Sequence, residues 1–272
     1  MPTIRALTVY PVKSCAGIAL DEARMTPTGL AYDRHWLVVD EFGEFLTQRV
    51  LPRLALVRPD LGHQTLRLAA PGMGPLSLPL DGVGPRRAVK VWNDACTGID
   101  QGEIAAAWLS DFLDRPVRRV RFDFDHPRLS DPRWAGDSGA TTAFADGYAV
   151  LVASVASLAD LNARLAAPLP MNRFRPNIVI DGVEAFDEDH IAALQVAGAE
   201  LRLVKPCTRC VVTTTDQASA ERAADNEPLA TLAGYRRRED MDGVCFAVNA
   251  IVARPGDRPI RVGDDVEIEW SF

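Results

Sequence analysis

Short runs of aliphatic and β-branched residues, each soon closed by a glycine or proline turn, recur along most of this chain and hold it to a strand-rich fold. Residues 3–12 alternate like a strand. Residues 37–48 read as a hairpin with Gly43 in its turn. Two further short strands fall at 65–70 and 76–80, and a loop at 83–87 precedes another at 88–92. Many short strands at this spacing fit a barrel or a sandwich.

The period then changes. Between Gly102 and Leu113, the residues Ile104, Ala105, Trp108, Leu109 and Phe112 share one face at helical spacing. Residues 118–122 form a basic strand. The stretch 123–145, rich in Asp, Pro, Gly, Ser and Thr, reads as a long loop that contains a domain boundary. Beyond it the pattern predicts a strand at 149–153, then a helix capped by Ser154 that runs through Leu158, Leu161 and Leu165. An apolar strand at 177–180 and a hairpin over 194–203 follow. Residues 218–227 predict a polar, mobile loop and 229–235 a short helix. A strand pair at 246–252 and 262–270 closes the chain, with Gly256 and Gly263 bracketing the turn. The fold class expected is α+β and β-rich.

Composition excludes several functions. The 272 residues are 47% apolar and 25% charged, the balance of a globular protein with a packed core. A net charge of -7 argues against a nucleic-acid partner, which calls for a basic face. No apolar run of about 18 residues predicts a membrane helix. The first residues alternate like a strand and lack the marks of a signal peptide, so a cytoplasmic protein with no membrane partner is expected. The five cysteines are odd in number, which favours reduced thiols over a disulfide framework.

Two of those cysteines form the pair Cys207-Thr-Arg-Cys210, a spacing that suits zinc or a redox dithiol. A structural zinc takes four ligands, usually from two such pairs, and the remaining cysteines and the four histidines stand apart. A thioredoxin-like dithiol opens a helix, whereas residues 211–215, Val-Val-Thr-Thr-Thr, read as a strand. What remains is a single thiolate near Lys205 and Arg209, a soft ligand for a soft metal. On these residues alone, two cysteines packed as small hydrophobes is an equal reading.

Anion-binding chemistry recurs elsewhere. Lys13 and Ser14, directly after a strand, offer an ammonium and a hydroxyl, without the glycines and helix of a P-loop. Asp33-Arg34-His-Trp36 precedes another strand. Met171-Asn-Arg-Phe-Arg-Pro-Asn177 sets Arg173 and Arg175 about one aromatic residue. Guanidinium forks beside a buried strand are costly unless paired, and they suit a phosphate; pairing with neighbouring carboxylates is the plainer alternative. Asp146-Gly147 adds backbone N–H groups to the same anion or is a simple turn.

Taken together these segments resemble the MOSC-domain molybdenum enzymes, in particular the amidoxime-reducing components and their bacterial counterparts, which reduce N-hydroxylated compounds. The resemblance rests on Tyr10-Pro-Val-Lys-Ser-Cys15, Asp33-Arg-His-Trp36, Phe144-Ala-Asp-Gly147, Ser157-Leu-Ala-Asp-Leu-Asn162, Phe174-Arg-Pro-Asn-Ile-Val179, Pro206-Cys-Thr-Arg-Cys-Val-Val-Thr-Thr214 and Val262-Gly-Asp264, in order over nearly the whole chain. It implies an N-terminal MOSC-associated β-barrel domain over residues 1–125 and a MOSC domain, a second barrel with flanking helices, over 126–272.

The same resemblance implies a molybdenum–molybdopterin cofactor. Cys210 would be the metal ligand and catalytic centre, and Cys207 a non-ligand. Lys13, Ser14, Arg34 and Arg175 would hold the phosphate and pterin, with further contacts from Asp146, Gly147, Asn177 and Thr213. The implied substrates are small N-hydroxylated molecules: amidoximes, hydroxylamines and N-hydroxylated bases. Some bacterial members carry a C-terminal ferredoxin domain. No such cysteine cluster occurs here, so electrons are expected from a separate protein such as a ferredoxin or flavin reductase. MOSC domains are also related to the C-terminal domain of molybdenum-cofactor sulfurases. The alternative is therefore a cofactor carrier or sulfur-transfer protein in which Cys210 holds a persulfide or the metal.

Overall fold

A computed structural model describes residues 1–271. Its largest element is an eight-stranded sheet, in spatial order Ile18–Leu20, Thr3–Val9, Ile178–Asp181, Val150–Ser154, Cys245–Arg254, Ala199–Thr208, Ile191–Val196 and Glu267–Trp270. Val150–Ser154 and Ile178–Asp181 run parallel. A parallel pair needs a long crossover, and the helix Val155–Arg164 supplies it, capped as expected by the Ser154 hydroxyl on Ser157 N.

The sheet closes on itself. Just before Glu267–Trp270 at one edge, Val266 N donates to Pro2 O at 2.9 Å, and Ile4 N donates to Asp264 O at 2.9 Å. Closure turns the apolar faces of the strands inward and covers the edge at Glu267–Trp270, leaving the short strand Ile18–Leu20 as an edge. Ile4, Leu7, Val152, Ile180, Leu194 and Leu201 meet in this core, each contributing ~1.5–3 kcal/mol by burial. The first two strands thus lie in a sheet otherwise built from residues beyond 149.

Beside it stand a four-stranded sheet, Arg86–Val91, Asp94–Asp100, Arg118–Phe122 and Trp36–Val39, a three-stranded one, Arg58–Leu61, Thr65–Ala69 and Leu76–Pro79, and three short two-stranded ones. The helix Gly102–Leu113 joins the first two of these: Leu109 and Phe112 share a core with Trp36, Leu66 and Leu68. The protein is therefore strand-rich α+β, with barrel-like sheets and a few helices.

Several local expectations are corrected. Ile104 is 73% exposed; the buried helix face runs through Ala105, Leu109 and Phe112, and Ile104 lies one step around the helix from it. The first strand stops at Val9, because Pro11 has no N–H for a ladder. The two closing strands do not pair with each other: Cys245–Arg254 is longer than expected and lies between Val150–Ser154 and Ala199–Thr208, while the last strand starts only at Glu267 and pairs with Ile191–Val196. The segment 218–227 is a loop, but it is fastened: Arg222 donates to Gln48 O and Arg49 O at 2.8 and 2.6 Å.

Candidate functional site

Loops from the closed sheet and from the four-stranded sheet meet around a cavity of about 770 Å³. Eight of the nine expected residues line it: Lys13, Ser14, Arg34, Asp146, Gly147, Arg175, Asn177 and Cys210. A Cβ added at Gly147 would meet no atom within 4 Å, so a side chain there would project into open space. Thr213 does not line the cavity.

Three of these residues have left-handed backbone: Ser14 at φ 67°, Arg34 at φ 50° and Arg175 at φ 57°. Such conformations cost non-glycine residues roughly 1–3 kcal/mol and persist where the surroundings enforce them. Here Arg34 N donates to Tyr10 O, Lys13 N to Trp36 O and Gln48 Nε2 to Ser14 O, all within 2.8 Å.

The expected phosphate cations are not equivalent. The Lys13 ammonium donates to Asp146 Oδ1 at 2.7 Å and to Phe144 O at 2.8 Å. Burial pulls the Lys13 pKa down, and Asp146 opposes that. Desolvation by the surrounding walls would raise the Asp146 carboxyl, but its side chain is largely open to the cavity, and Lys13 and the Trp92 indole N–H hold it well below the usual carboxylate range. Asp146 thus works through its side chain, and its carbonyl accepts from Arg128 Nη2 at 2.9 Å. Arg34 is paired with Asp33 and with Asn177 Oδ1.

Asn177 also accepts from Leu151 N and donates to Thr8 O and Asp33 Oδ1, so both its amide donors are engaged in tying the sheet to the loops. Arg175 differs. It has no carboxylate partner among the described residues, and its Nη2 is buried without any partner. Burial pushes its pKa down to about 10. Its guanidinium and that of Arg34 lie over the Tyr10 ring, at 4.2 and 4.4 Å.

Cys210 opens on the same cavity, directly after the strand Ala199–Thr208. The β-branched residues that follow are not a strand. They form a single 3₁₀ turn, Val211–Thr214, because the Thr213 and Thr214 hydroxyls donate back to Cys210 O and Val211 O at 2.9 Å. Arg173, expected at the anion, is buried beneath this turn and donates to Thr213 O and Thr214 O at 2.9 and 2.8 Å. Thr213 and Arg173 therefore hold Cys210 in place and do not face the cavity.

Arg209, expected beside Cys210, donates to Cys207 Sγ at 2.8 Å. Cys15 is fully buried, which pushes its thiol up to about 12 and leaves it inert. Among the described residues no three His, Cys, Asp or Glu side chains gather as a metal site.

Sequence reasoning missed Arg128, which reads as one more basic residue in a polar loop. Its guanidinium holds Asp94 and the carbonyls of Ala143, Ala145 and Asp146, and so shapes one wall. It also missed Trp92 and Gln217, the latter accepting from Arg175 at 3.2 Å. Nothing local in the sequence marks these three.

A family model described as the MOSC N-terminal beta barrel domain matches residues 1–116, and one described as the MOSC domain matches residues 139–267. The mitochondrial amidoxime-reducing component 1 of Homo sapiens is 35% identical over 280 residues, 97% of this chain and 82% of that protein. The chain belongs to this family. Component 1 of Mus musculus is 36% identical over the same length, and component 2 of Bos taurus 37% over 283 residues, with 97% of this chain covered in both. The family's relatives are named for the reduction of amidoximes, and the eight expected residues that line the cavity lie within the two matched regions.

Proposed function

We propose that this protein is a molybdenum-cofactor-dependent oxidoreductase that reduces small N-hydroxylated compounds with electrons from a separate redox protein. The observation that carries the reading is that the Cys210 thiol and the Arg175 guanidinium, whose buried Nη2 has no partner, open on one cavity. An orphaned, buried guanidinium N–H fits an acceptor-rich anionic group such as a phosphate. A lone thiol with no further protein ligands fits a metal whose other ligands arrive with a cofactor.

Arg175 and Arg34 would face the phosphate, with Ser14 and the Gly147 backbone beside it, and Cys210 would ligate molybdenum. When bound, the cofactor supplies the two-electron chemistry that removes the oxygen of an N-hydroxy group. The chain's own contribution is placement. Thr213 fixes the Cys210 carbonyl, Arg173 locks the turn beneath it, and Tyr10 keeps two like-charged guanidiniums side by side. Lys13, Asp146 and Trp92 hold the opposite wall.

The test is production in a host that makes molybdopterin. Expected are stoichiometric molybdenum and a pterin in the purified protein, and turnover of benzamidoxime with a reduced dye as donor. A cyanide-labile sulfur on the protein with no such turnover would sink the reading in favour of sulfur transfer.

A further inference from the structure

Eight basic side chains but only three carboxylates line the cavity, in a chain of net charge -7. Four of the eight are paired: Lys13 with Asp146, Arg34 with Asp33, Arg128 with Asp94 and Arg133 with Asp131. The other four have no carboxylate partner among the described residues, and each lies over an aromatic ring instead. Arg49 is 4.3 Å from the Trp92 ring, Arg175 4.2 Å from Tyr10 and Arg209 5.7 Å from Phe174. Lys205 is 5.4 Å from Trp134 and 5.9 Å from Tyr148. A ring face attracts a cation without cancelling its charge. The walls therefore present positive charge that the protein holds in position without direct carboxylate pairing; Asp131, bonded to Arg133, is the one carboxylate whose charge reaches Lys205.

A cofactor phosphate at Arg175 accounts for one of these cations. Arg209 is largely engaged, donating to Cys207 Sγ and Phe174 O at 2.8 Å, and Arg49 is exposed. Lys205 is different. It is half-buried on the strand that leads to Cys210, and its ammonium has no hydrogen-bond acceptor among the described residues.

We propose that the substrate carries, besides its N-hydroxy group, an anionic group, a carboxylate or a phosphate, received by the Lys205 ammonium between Trp134 and Tyr148. This rests on the reductase reading above. The reaction is unchanged: the N–O bond breaks, two electrons come from the redox partner, two protons are taken up, and the oxygen leaves as water.

The test uses cofactor-loaded protein, reduced methyl viologen and two matched substrate pairs: benzamidoxime with 4-carboxybenzamidoxime, and N-hydroxyadenosine with its 5′-monophosphate. The anionic member of at least one pair should show kcat/KM about tenfold or more above its neutral partner, a preference that shrinks as salt is raised. Which pair responds tells carboxylate from phosphate. In Lys205→Met the ratio should fall toward unity; a preference that survives there overturns the assignment to Lys205.

Calorimetric binding of the preferred anionic substrate to oxidised protein should weaken about tenfold in Lys205→Met. It should not weaken in Arg58→Gln, a change at an exposed residue of the three-stranded sheet. Turnover of all four compounds with no anionic preference overturns this proposal and leaves the reductase reading standing. Turnover of none overturns both.

Discussion

Tyr10 is buried, donates its hydroxyl to Pro176 O and carries two guanidiniums over one ring. Each such contact is worth roughly 0.5–2 kcal/mol. Tyr10→Phe should keep both, whereas Tyr10→Leu should lower cofactor retention roughly tenfold or more. Pterin content after dialysis of protein shown to be folded by circular dichroism checks this; equal retention in the two variants would contradict the role given to the ring. At this scale the candidate residues were legible in the sequence, because Lys13, Arg34, Arg175 and Cys210 each sit in a short chain segment with its own chemistry. Which charges stay free was not legible. The partner that neutralises Lys13 lies at Asp146, and the one that engages Asn177 lies at Asp33. No spacing rule links positions so far apart.

Among the elements, the turn after Cys210 shows how tertiary contacts override propensity. Val-Val-Thr-Thr-Thr favours a strand by residue type, yet two hydroxyl back-bonds and the buried Arg173 convert it into one helical turn. Arg173→Met removes both guanidinium bonds; Thr214 O keeps the Ala223 N–H, but the buried Thr213 carbonyl is left without a donor. That should cost about 1–3 kcal/mol, read as a lower denaturation midpoint with an unchanged slope. Loss of under about 0.5 kcal/mol, the size of an ordinary surface change, would show that the turn stands without it. The helices at 102 and 155 were legible because a 3.6-residue period is a local signal; Ile104 was misplaced because the period alone does not say where the packed face is centred.

Over the whole molecule, the rhythm of short strands made a β-rich fold legible. The closure of the large sheet was not, since register between Ile4 and Asp264 leaves no trace in either segment. One whole-molecule property follows from His35, which sits among Tyr32, Trp36 and Phe124. Burial, helped by Arg121, pushes its pKa down to about 4.

The unfolded chain binds this proton near pH 6.5 and the folded chain only near 4. Stability should therefore be full above about pH 6.5 and fall by up to roughly 3 kcal/mol as pH drops toward 4. His35→Phe should flatten the pH dependence of thermal unfolding in that window; an identical dependence would show that other groups set it.

The central claim is that Cys210, and not Cys207, is the working thiol. Benzamidoxime turnover by Cys210→Ala and Cys207→Ala, each with molybdenum and pterin measured in the same sample, tests it most directly. The expected result is that Cys207→Ala keeps most of its turnover. Cys210→Ala should lose roughly a thousandfold or more in kcat, even where pterin is retained by the Arg34 and Arg175 end of the cavity. Normal turnover in Cys210→Ala, or a loss confined to Cys207→Ala, would contradict the account.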